Sequence, residues 1–412
     1  MSFDEIKPVR VLFTCTSVGL TNRGIESFFR EAFDHLKKTP GLEIMLAKGG
    51  GVDGPGEKRV WCLSKTNRLA ALLGRATGRS TYAVEQWTSF LPTVQLLRRF
   101  RPDVVFSSDA NVFFLLRRFR LPIGLSAKLL YSNGGPCGPP FPRYDAVHQV
   151  APYYLEQALA AGEPPEKHSL VPYGIHVPDG APVSDPARKR ALRERLNLPV
   201  DRPIILSVGW IAAQHKRMDY VVREIGGRWP VGSTPVGGGR WAVGGDTPTH
   251  RRTDAPTTDK PFLVLLGNMT AESDEIVALA RRELGEGNFT ARSVPYDEVA
   301  DYYRTADVFT LASLQEGFGR VYLEALLHGL PVIAHDHPVM RYVLGDQGTL
   351  VDLSPPGALA RELAAELARP FDAESAARRR ESVRARFSWP VLAPQYREMF
   401  RACAQKAEKL KS

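Results

Sequence analysis

Two glutamates with a glycine loop between them are the clearest chemical feature of this sequence. Glu316 and Glu324 are eight residues apart in the run EGFGRVYLEALLHGLPVIA. The apolar stretch 306–313 is typical of a buried strand, and the spacing of apolar residues in 321–327 predicts a helix that stops near Gly329. A strand, a glycine loop and a helix in this order present backbone N–H groups to an anion above a sheet. Glu316 precedes the predicted helix, and Glu324 lies on it.

The length and composition indicate a soluble two-domain protein. The chain has 412 residues, 43% hydrophobic and 24% charged, which excludes a largely disordered protein and favours two domains. Its net charge of +9 favours anionic partners such as sugar nucleotides, phospholipid headgroups or nucleic acid. The acidic N-terminus is unlike a signal peptide, and the four cysteines are scattered, so a cytoplasmic location with reduced thiols is expected.

The order of strands and helices predicts an α/β protein with two Rossmann-like domains. Residues 1–180 begin with the apolar strand VRVLFTCTS and an amphipathic helix, without the Gly-x-Gly-x-x-Gly sequence of nicotinamide or flavin sites. A second domain is expected over 181–385, opened by the strand PIILSVGW, and a C-terminal helix over 386–412. The segment 227–260 is dense in Gly, Pro and Thr, which favours a mobile insertion in the second domain.

The Glu-x7-Glu pair, the Gly-Phe-Gly loop and the Gly-Leu-Pro-Val-Ile-Ala exit resemble the donor-sugar site of the retaining GT-B-fold glycosyltransferases of family 4. This resemblance implies two Rossmann-like domains facing a central cleft, with the C-terminal helix crossing back to the first domain. It also implies that a hexose moves, with retention, from a nucleotide-diphosphate sugar to a glycan, lipid-linked or small-molecule acceptor. Neither a metal nor a cofactor is expected.

The resemblance also assigns roles to individual residues. Glu316 is expected to face the transferred sugar, Lys216 to bind the diphosphate and Glu324 to bind the ribose hydroxyls. Where the family has an arginine after the strand's glycine, this chain has Trp210, which could instead be a core residue. Arg217 or Arg320 could supply the missing positive charge. The other expected donor-binding residues are Gly24, Gly209, Arg217, Gly317, Phe318, Gly319 and Arg320.

The acceptor side is less defined. Asn133 and His148 lie where the resembled family has acceptor-facing groups, although a structural role explains each of them equally well. The triplet His335-Asp336-His337 has the residue types of a metal cluster, but its spacing in a strand end favours no metal site.

Three alternatives remain open from the sequence. The run LLRRFR occurs at 96–101 and at 115–120, which indicates either two ordinary helix ends or a basic, aromatic face for peripheral contact with an anionic membrane. Trp210 leaves open a catalytically silent GT-B-like protein that binds or scaffolds a partner. A nucleic-acid-binding protein would rest on net charge alone, so no nucleic-acid partner is predicted.

Overall fold

The chain folds into two compact units. The computed structural model describes residues 7–21, 23–135, 137–178, 185–227, 229, 235–236, 240–241 and 260–405. Unit 1 comprises Met1–His176 and Arg386–Ser412, and unit 2 comprises Val177–Ala385. Most of the expected insertion at 227–260 lies outside the described residues.

Unit 1 is a seven-stranded parallel sheet with helices between its strands. The strand order is β3-β2-β1-β4-β5-β6-β7. Its elements are β1 (Val9–Cys15), α1 (Gly24–Leu36), β2 (Leu42–Lys48), β3 (Glu57–Arg59), α2 (Arg68–Thr77), α3 (Thr81–Thr88), α4 (Phe90–Phe100), β4 (Val104–Ser107), α5 (Ala110–Arg118), β5 (Lys128–Asn133), β6 (Ala146–Gln149), α6 (Pro152–Ala160), a 3₁₀ turn (Pro165–Lys167) and β7 (His168–Leu170).

Unit 2 is built on a six-stranded parallel sheet in the order β12-β11-β8-β13-β14-β15. Its elements are α7 (Pro186–Arg195), β8 (Ile204–Val208), α8 (Met218–Gly227), the two-residue strands β9 (Pro235–Val236) and β10 (Arg240–Trp241), β11 (Phe262–Leu266), α9 (Ala271–Leu284), β12 (Phe289–Arg292), α10 (Tyr296–Thr305), β13 (Val308–Leu311), α11 (Arg320–Leu327), β14 (Val332–His335), α12 (Pro338–Leu344), β15 (Thr349–Val351), α13 (Ala358–Leu367) and α14 (Ala373–Phe387).

The central strands are apolar because both faces of each sheet are covered. Every residue of β4 and β13 is buried, as expected for parallel strands with helices on both sides. In each unit the strand order reverses once, between β1 and β4 in unit 1 and between β8 and β13 in unit 2. Ligands of open α/β sheets bind beyond the carboxyl ends of the strands at such a reversal point.

The last helix, α15 (Trp389–Gln405), packs on unit 1. Phe400 lies against Phe13 and Phe106 with ring centroids 5.8 and 5.3 Å apart, and the Tyr396 hydroxyl donates to the Pro172 carbonyl at 3.0 Å. Two Rossmann-like units and a C-terminal helix that returns to the first of them were expected from the sequence, and both expectations are confirmed.

Candidate functional site

The loop between β13 and α11 is shaped by its last glycine. Gly319 has a φ of +83° at the N-terminus of α11, a conformation that L residues rarely adopt. A Cβ at this position would lie 2.7 Å from Tyr322 Cδ2, so both conformation and space require glycine. The loop residue Phe318 is buried, which fixes Gly317 and Gly319 on either side of it. The strand, glycine loop and helix therefore have the predicted order, and the helix begins at Arg320.

Lys216 and Glu316 form an ion pair at the reversal point of unit 2. Lys216 follows β8 and Glu316 follows β13, and the Nζ and Oε1 atoms are 2.5 Å apart. Glu316 is buried, whereas Lys216 is partly exposed. The neighbours His215 and Arg217 both have positive φ values, of 58° and 49°. Two non-glycine residues in this region mark a strained turn, which is common where a loop holds a functional side chain.

The glycines beside this pair let two loops approach closely. The aliphatic part of Lys216 lies over Gly209, with Cε 3.5 Å from the place of a Cβ. A Cβ on Gly267, after β11, would lie only 1.6 Å from the Gly209 carbonyl oxygen. The Gly209 N–H donates to the Leu266 carbonyl at 2.8 Å. The loop that carries Lys216 therefore packs at Gly209 against Gly267, where there is no room for a side chain.

The cations near the ion pair occupy different environments. Arg217 donates to the Leu353 carbonyl at 2.7 Å and stacks over Tyr220 at 4.2 Å, so its guanidinium is engaged with the β15–α13 connection. Arg320 is buried in the first turn of α11. Trp210 is 38% exposed, with its indole N–H 3.4 Å from the Thr270 hydroxyl. The interpretation of Trp210 as a core residue is therefore wrong.

Glu324 lies on α11, where its side chain is oriented by α10. The Tyr303 hydroxyl donates to Glu324 Oε2 at 3.0 Å. Burial, and then the neighbouring Glu324 carboxylate, raises the pKa of Tyr303 well above its usual value, so the phenol stays protonated and remains a donor. His328 stacks on the same ring with centroids 5.3 Å apart. The carboxylate is thus fixed at one oxygen and partly exposed.

The residues of the His335-Asp336-His337 triplet have structural partners. His337 Nδ1 accepts the Val339 N–H at 3.2 Å at the start of α12, and Asp336 pairs with Arg341. His335 Nδ1 accepts the Leu353 N–H at 3.1 Å. No group of three metal-ligating side chains occurs among the described residues.

The predicted residues of unit 1 fall into two groups. Gly24 is the first residue of α1, and a Cβ there would meet no atom within 4 Å, so the surrounding space is open. Asn133 and His148 are fully buried. Asn133 bonds to the backbone of Cys137 and to Gln149, which ties down the loop after β5. Contact of these two side chains with an acceptor stays a prediction. The bonds of Asn133 join the end of β5 to the end of β6 and to the loop that follows β5.

His148 makes the stability of the chain depend on pH. Its Nε2–H donates to the Val171 carbonyl at 2.6 Å and its Nδ1 accepts from the Ser132 hydroxyl at 3.1 Å. Burial lowers the pKa of His148 to about 4. The imidazole of the unfolded chain therefore takes up a proton first, near pH 6.5, and the folded state loses stability as the pH falls toward 4.

The free energy of unfolding of the wild type should fall, relative to that of His148→Gln, by about 3 kcal/mol between pH 7 and pH 4. Urea unfolding at both pH values measures it, and a constant difference would contradict the assignment.

A polar cluster that was not predicted from the sequence lies at the reversal point of unit 1. Asp109, after β4, is fully buried and accepts from the Thr16 backbone at 2.8 Å, from Gln86 Nε2 at 3.0 Å and from the Tyr82 hydroxyl at 3.2 Å. Burial raises the pKa of Asp109 to about 6. Glu85, also buried, accepts from the Ser17 hydroxyl.

Two cations lie near the ring of Tyr82, which belongs to this cluster. The Arg23 guanidinium lies 5.6 Å and the Lys65 ammonium 5.8 Å from the centre of the Tyr82 ring. Burial, and then the positive charge of Arg23, lowers the pKa of Lys65. Arg23 is also paired with Glu26.

One feature of the sequence could have indicated this polar cluster, namely the position of Asp109 just after a buried strand. The pairing of β1 with β4 was needed to place Asp109 beside the loop that follows β1.

Solved structures with the same architecture identify the fold. The Anabaena protein HepE, in complex with UDP-glucose, matches with a TM-score of 0.65 at 15% identity, over 95% of this chain and 99% of that one. Sucrose-phosphate synthase from Thermosynechococcus elongatus matches with a TM-score of 0.67 at 17% identity, over 95% and 98% of the two chains. The chain has the GT-B class of α/β fold, in which two Rossmann-like units are formed by one polypeptide.

Sequence comparison finds relatives for part of the chain. Residues 250–369 match the family model described as glycosyl transferases group 1. D-inositol 3-phosphate glycosyltransferase of Thermobispora bispora is 32% identical over 247 residues, which are 58% of this chain and 51% of that protein. The enzyme of the same name from Xylanimonas cellulosilytica is 32% identical over 48% of this chain and 42% of its own length. The chain thus spans about half the length, or less, of these relatives.

Proposed function

We propose that the chain is a glycosyltransferase whose unit 2 binds a nucleotide-diphosphate sugar and whose unit 1 binds the acceptor. The Lys216–Glu316 pair at the reversal point of the unit 2 sheet is the observation that carries this proposal. This pair places a cation and a carboxylate near the N-terminus of α11, beyond the carboxyl ends of β8 and β13. A diphosphate needs the cation and N–H donors, and a sugar needs the carboxylate as an acceptor for its hydroxyls. The match of residues 250–369 to the glycosyl transferases group 1 supports the same activity.

The ion pair explains how the donor would be received. Before the donor binds, Lys216 and Glu316 neutralise each other in a partly buried site. A diphosphate would offer Lys216 a more highly charged partner, which leaves Glu316 to accept hydrogen bonds from the sugar hydroxyls. This exchange avoids leaving either charge buried and unpaired.

The transfer itself is proposed to proceed with retention and without a metal. Glu316 is assigned to binding the sugar, so neither it nor Glu324 acts as the acid or nucleophile of a hydrolase. The leaving phosphate would assist removal of the proton from the acceptor hydroxyl on the same face of the sugar. The transferred group is proposed to be a hexose.

The acceptor is proposed to be a hydroxyl compound that carries a phosphate. Arg23 and Lys65 both lie within 6 Å of the centre of the Tyr82 ring in unit 1 and provide two cations for one anion. The name of the relatives, D-inositol 3-phosphate glycosyltransferase, is consistent with a phosphorylated polyol. The Tyr82 hydroxyl donates to Asp109, and this bond holds the ring beside the two cations.

Turnover of a panel of nucleotide sugars tests the activity. The chain should hydrolyse slowly at least one UDP-, GDP- or ADP-hexose, and addition of inositol phosphate should convert hydrolysis into transfer. Proton NMR of the product should show the anomeric configuration of the donor. Inversion would contradict the retaining mechanism. Nucleotide binding without any turnover would favour the alternative, a catalytically silent GT-B-like binding protein.

Replacement of Glu324 should weaken binding of the nucleotide. Glu324→Ala removes an ionised acceptor for the ribose hydroxyls, and such bonds contribute about 1.5 to 3 kcal/mol each. We expect a Kd for the nucleotide raised roughly 50-fold, with kcat at saturating donor changed less than about threefold. Calorimetry and steady-state kinetics measure the two quantities. Tyr303→Phe, which removes only the orienting hydroxyl, should have a smaller effect in the same direction. An unchanged Kd in Glu324→Ala would remove this residue from the site.

Restoration of the missing cation should strengthen binding of the diphosphate. Trp210 follows Gly209 and is 38% exposed, and Arg217 is held by the Leu353 carbonyl. Trp210→Arg is therefore expected to tighten binding of a nucleoside diphosphate about fivefold, which corresponds to about 1 kcal/mol for an exposed ion pair. Trp61→Arg adds the same charge at an exposed tryptophan of unit 1 and should leave the Kd unchanged. Equal effects of the two substitutions would show a general charge effect instead.

A further inference from the structure

A surface of unit 1 combines exposed apolar side chains with arginines. It is formed by the start of α4, the outer side of α5 and the turn after α5. We call it the arginine–leucine face, and its residues are Leu91, Phe114, Arg117, Arg118, Phe119 and Leu121. Leu121 is 90% exposed, Leu91 68%, Phe114 41% and Phe119 39%. These large apolar side chains are not scattered singly over the molecule, and exposed apolar clusters of this kind mark interaction sites.

Ring contacts link parts of this face. The rings of Phe90 and Phe119 are 5.7 Å apart, which brings the start of α4 to the end of α5. The Arg118 guanidinium lies 5.6 Å from the Phe119 ring, and Arg143 lies 5.1 Å from the Phe114 ring. Each of the two exposed aromatic rings of the face therefore has an arginine beside it.

The charge of this part of the chain is strongly one-sided. Residues 86–144 contain eight Lys or Arg residues and only two acids, Asp103 and Asp109. Asp109 is fully buried, and Asp103 accepts the Arg10 backbone N–H at 2.8 Å at the opposite end of β4. Asp145, just beyond the segment, binds Arg120 at 2.9 Å and lies farther, 3.7 Å, from Arg117. Arg117 therefore makes only the longer of the two contacts with Asp145, and both it and Arg118 are exposed to an external anion.

We propose that the arginine–leucine face binds the surface of an anionic lipid bilayer. Basic side chains are attracted to acidic headgroups, while exposed Leu and Phe side chains enter the boundary between headgroups and acyl chains. A nucleic acid would use the arginines but would leave Leu91 and Leu121 in water, so the apolar half of the face favours the bilayer. None of the helices in the described part of the chain is long and apolar enough to cross a membrane. The face would therefore bind peripherally, which goes beyond the proposed glycosyl transfer and does not depend on it.

Vesicle sedimentation with the full chain tests this surface. The chain should bind vesicles that contain phosphatidylglycerol at least about tenfold more strongly than vesicles of phosphatidylcholine alone, and added salt should weaken the binding. Arg118→Ala should lower the partition coefficient about fivefold, the equivalent of about 1 kcal/mol for one basic side chain at such a surface. The double variant Leu91→Ser and Leu121→Ser should lower it more.

Matched controls make the outcome decisive. Leu72→Ser changes a leucine of α2 that is 62% exposed, close to the exposure of Leu91, and Arg361→Ala changes an exposed arginine of α13. Both variants should bind vesicles like the wild type. Glu316→Ala should also bind normally, so a failure of the proposed transferase activity would not affect this result. Equal binding to both vesicle types, or equal losses in the control variants, would overturn the proposal. So would a short DNA duplex that binds more tightly than the vesicles and is unaffected by the leucine substitutions.

Discussion

Glu316→Ala is expected to abolish glycosyl transfer while the chain still binds nucleotide. The buried carboxylate is the proposed acceptor for the sugar hydroxyls, and without it the sugar loses the orientation that the reaction requires. Loss of positioning and of polar contacts in a preorganised site commonly costs a factor of about 10³ in kcat. Steady-state kinetics with the best donor from the nucleotide-sugar panel measures the effect.

Glu316→Ala should not weaken the binding of a nucleoside diphosphate and could strengthen it. Lys216 is paired with Glu316 at 2.5 Å, so removal of the carboxylate leaves the ammonium group without this competitor for phosphate oxygens. The Kd of a nucleoside diphosphate should therefore stay the same or become up to about fivefold lower.

A buried carboxylate away from the site provides the control. Glu224 accepts the Gly357 N–H at 2.7 Å, and Glu224→Gln should reduce stability but leave kcat near that of the wild type. Normal turnover in Glu316→Ala would exclude the proposed role.

Gly267→Ala is expected to destabilise unit 2 and to displace the loop that carries Lys216. The new Cβ would lie 1.6 Å from the Gly209 carbonyl oxygen, so the ends of β8 and β11 must separate. Forced overpacking of this kind costs about 3 kcal/mol, which corresponds to a fall of roughly 6 to 12 °C in the Tm of a unit of this size. Scanning calorimetry measures the fall, and calorimetric titration should show weaker nucleotide binding.

A second glycine shows whether the effect is specific to this contact. A Cβ on Gly227, at the end of α8, would meet no atom within 4 Å. Gly227→Ala should therefore keep or slightly raise the Tm, because alanine restricts the unfolded chain more than glycine does. If both variants unfold at the same temperature as the wild type, the close approach of the two loops does not limit stability.

The sequence predicted the parts of the fold and site that depend on local patterns. Apolar runs and glycine positions located the strand, loop and helix around Glu316, and the family resemblance indicated Lys216 and Glu324. The contact between Lys216 and Glu316 joins residues 100 positions apart and follows from the pairing of β8 with β13, which only the fold reveals. The exposure of Trp210 and the bond from Arg217 to the Leu353 carbonyl depend on how side chains pack in the folded unit. The sequence therefore did not predict them.

Unit 1 shows where reasoning from local sequence ends. Asn133 and His148 were predicted to face the acceptor because the resembled family has acceptor-facing groups there, yet buried polar side chains of this kind often hydrogen-bond to neighbouring parts of the fold. Asp109, Tyr82 and Lys65 come from three separate segments, and no spacing in the sequence links them. Parallel pairing of β1 with β4 brings Asp109 beside the loop that follows β1, and the Tyr82 hydroxyl reaches Asp109 from α3. Arg23 and Lys65 then lie near the Tyr82 ring.

Calorimetric titration with nucleotide-diphosphate sugars tests the central claim most directly, because it examines the Lys216–Glu316 site without requiring an acceptor. The wild type should bind at least one of a UDP-, GDP- or ADP-hexose, and Lys216→Ala should bind the same ligand at least about tenfold more weakly, as expected when a charged contact to phosphate is lost. Lys189, a partly buried lysine paired with Asp307 at 2.7 Å, provides the matched control, and Lys189→Ala should bind like the wild type. No binding of any nucleotide sugar by the wild type, or equal affinities in the two lysine variants, would contradict the assignment of unit 2 as a nucleotide-sugar site.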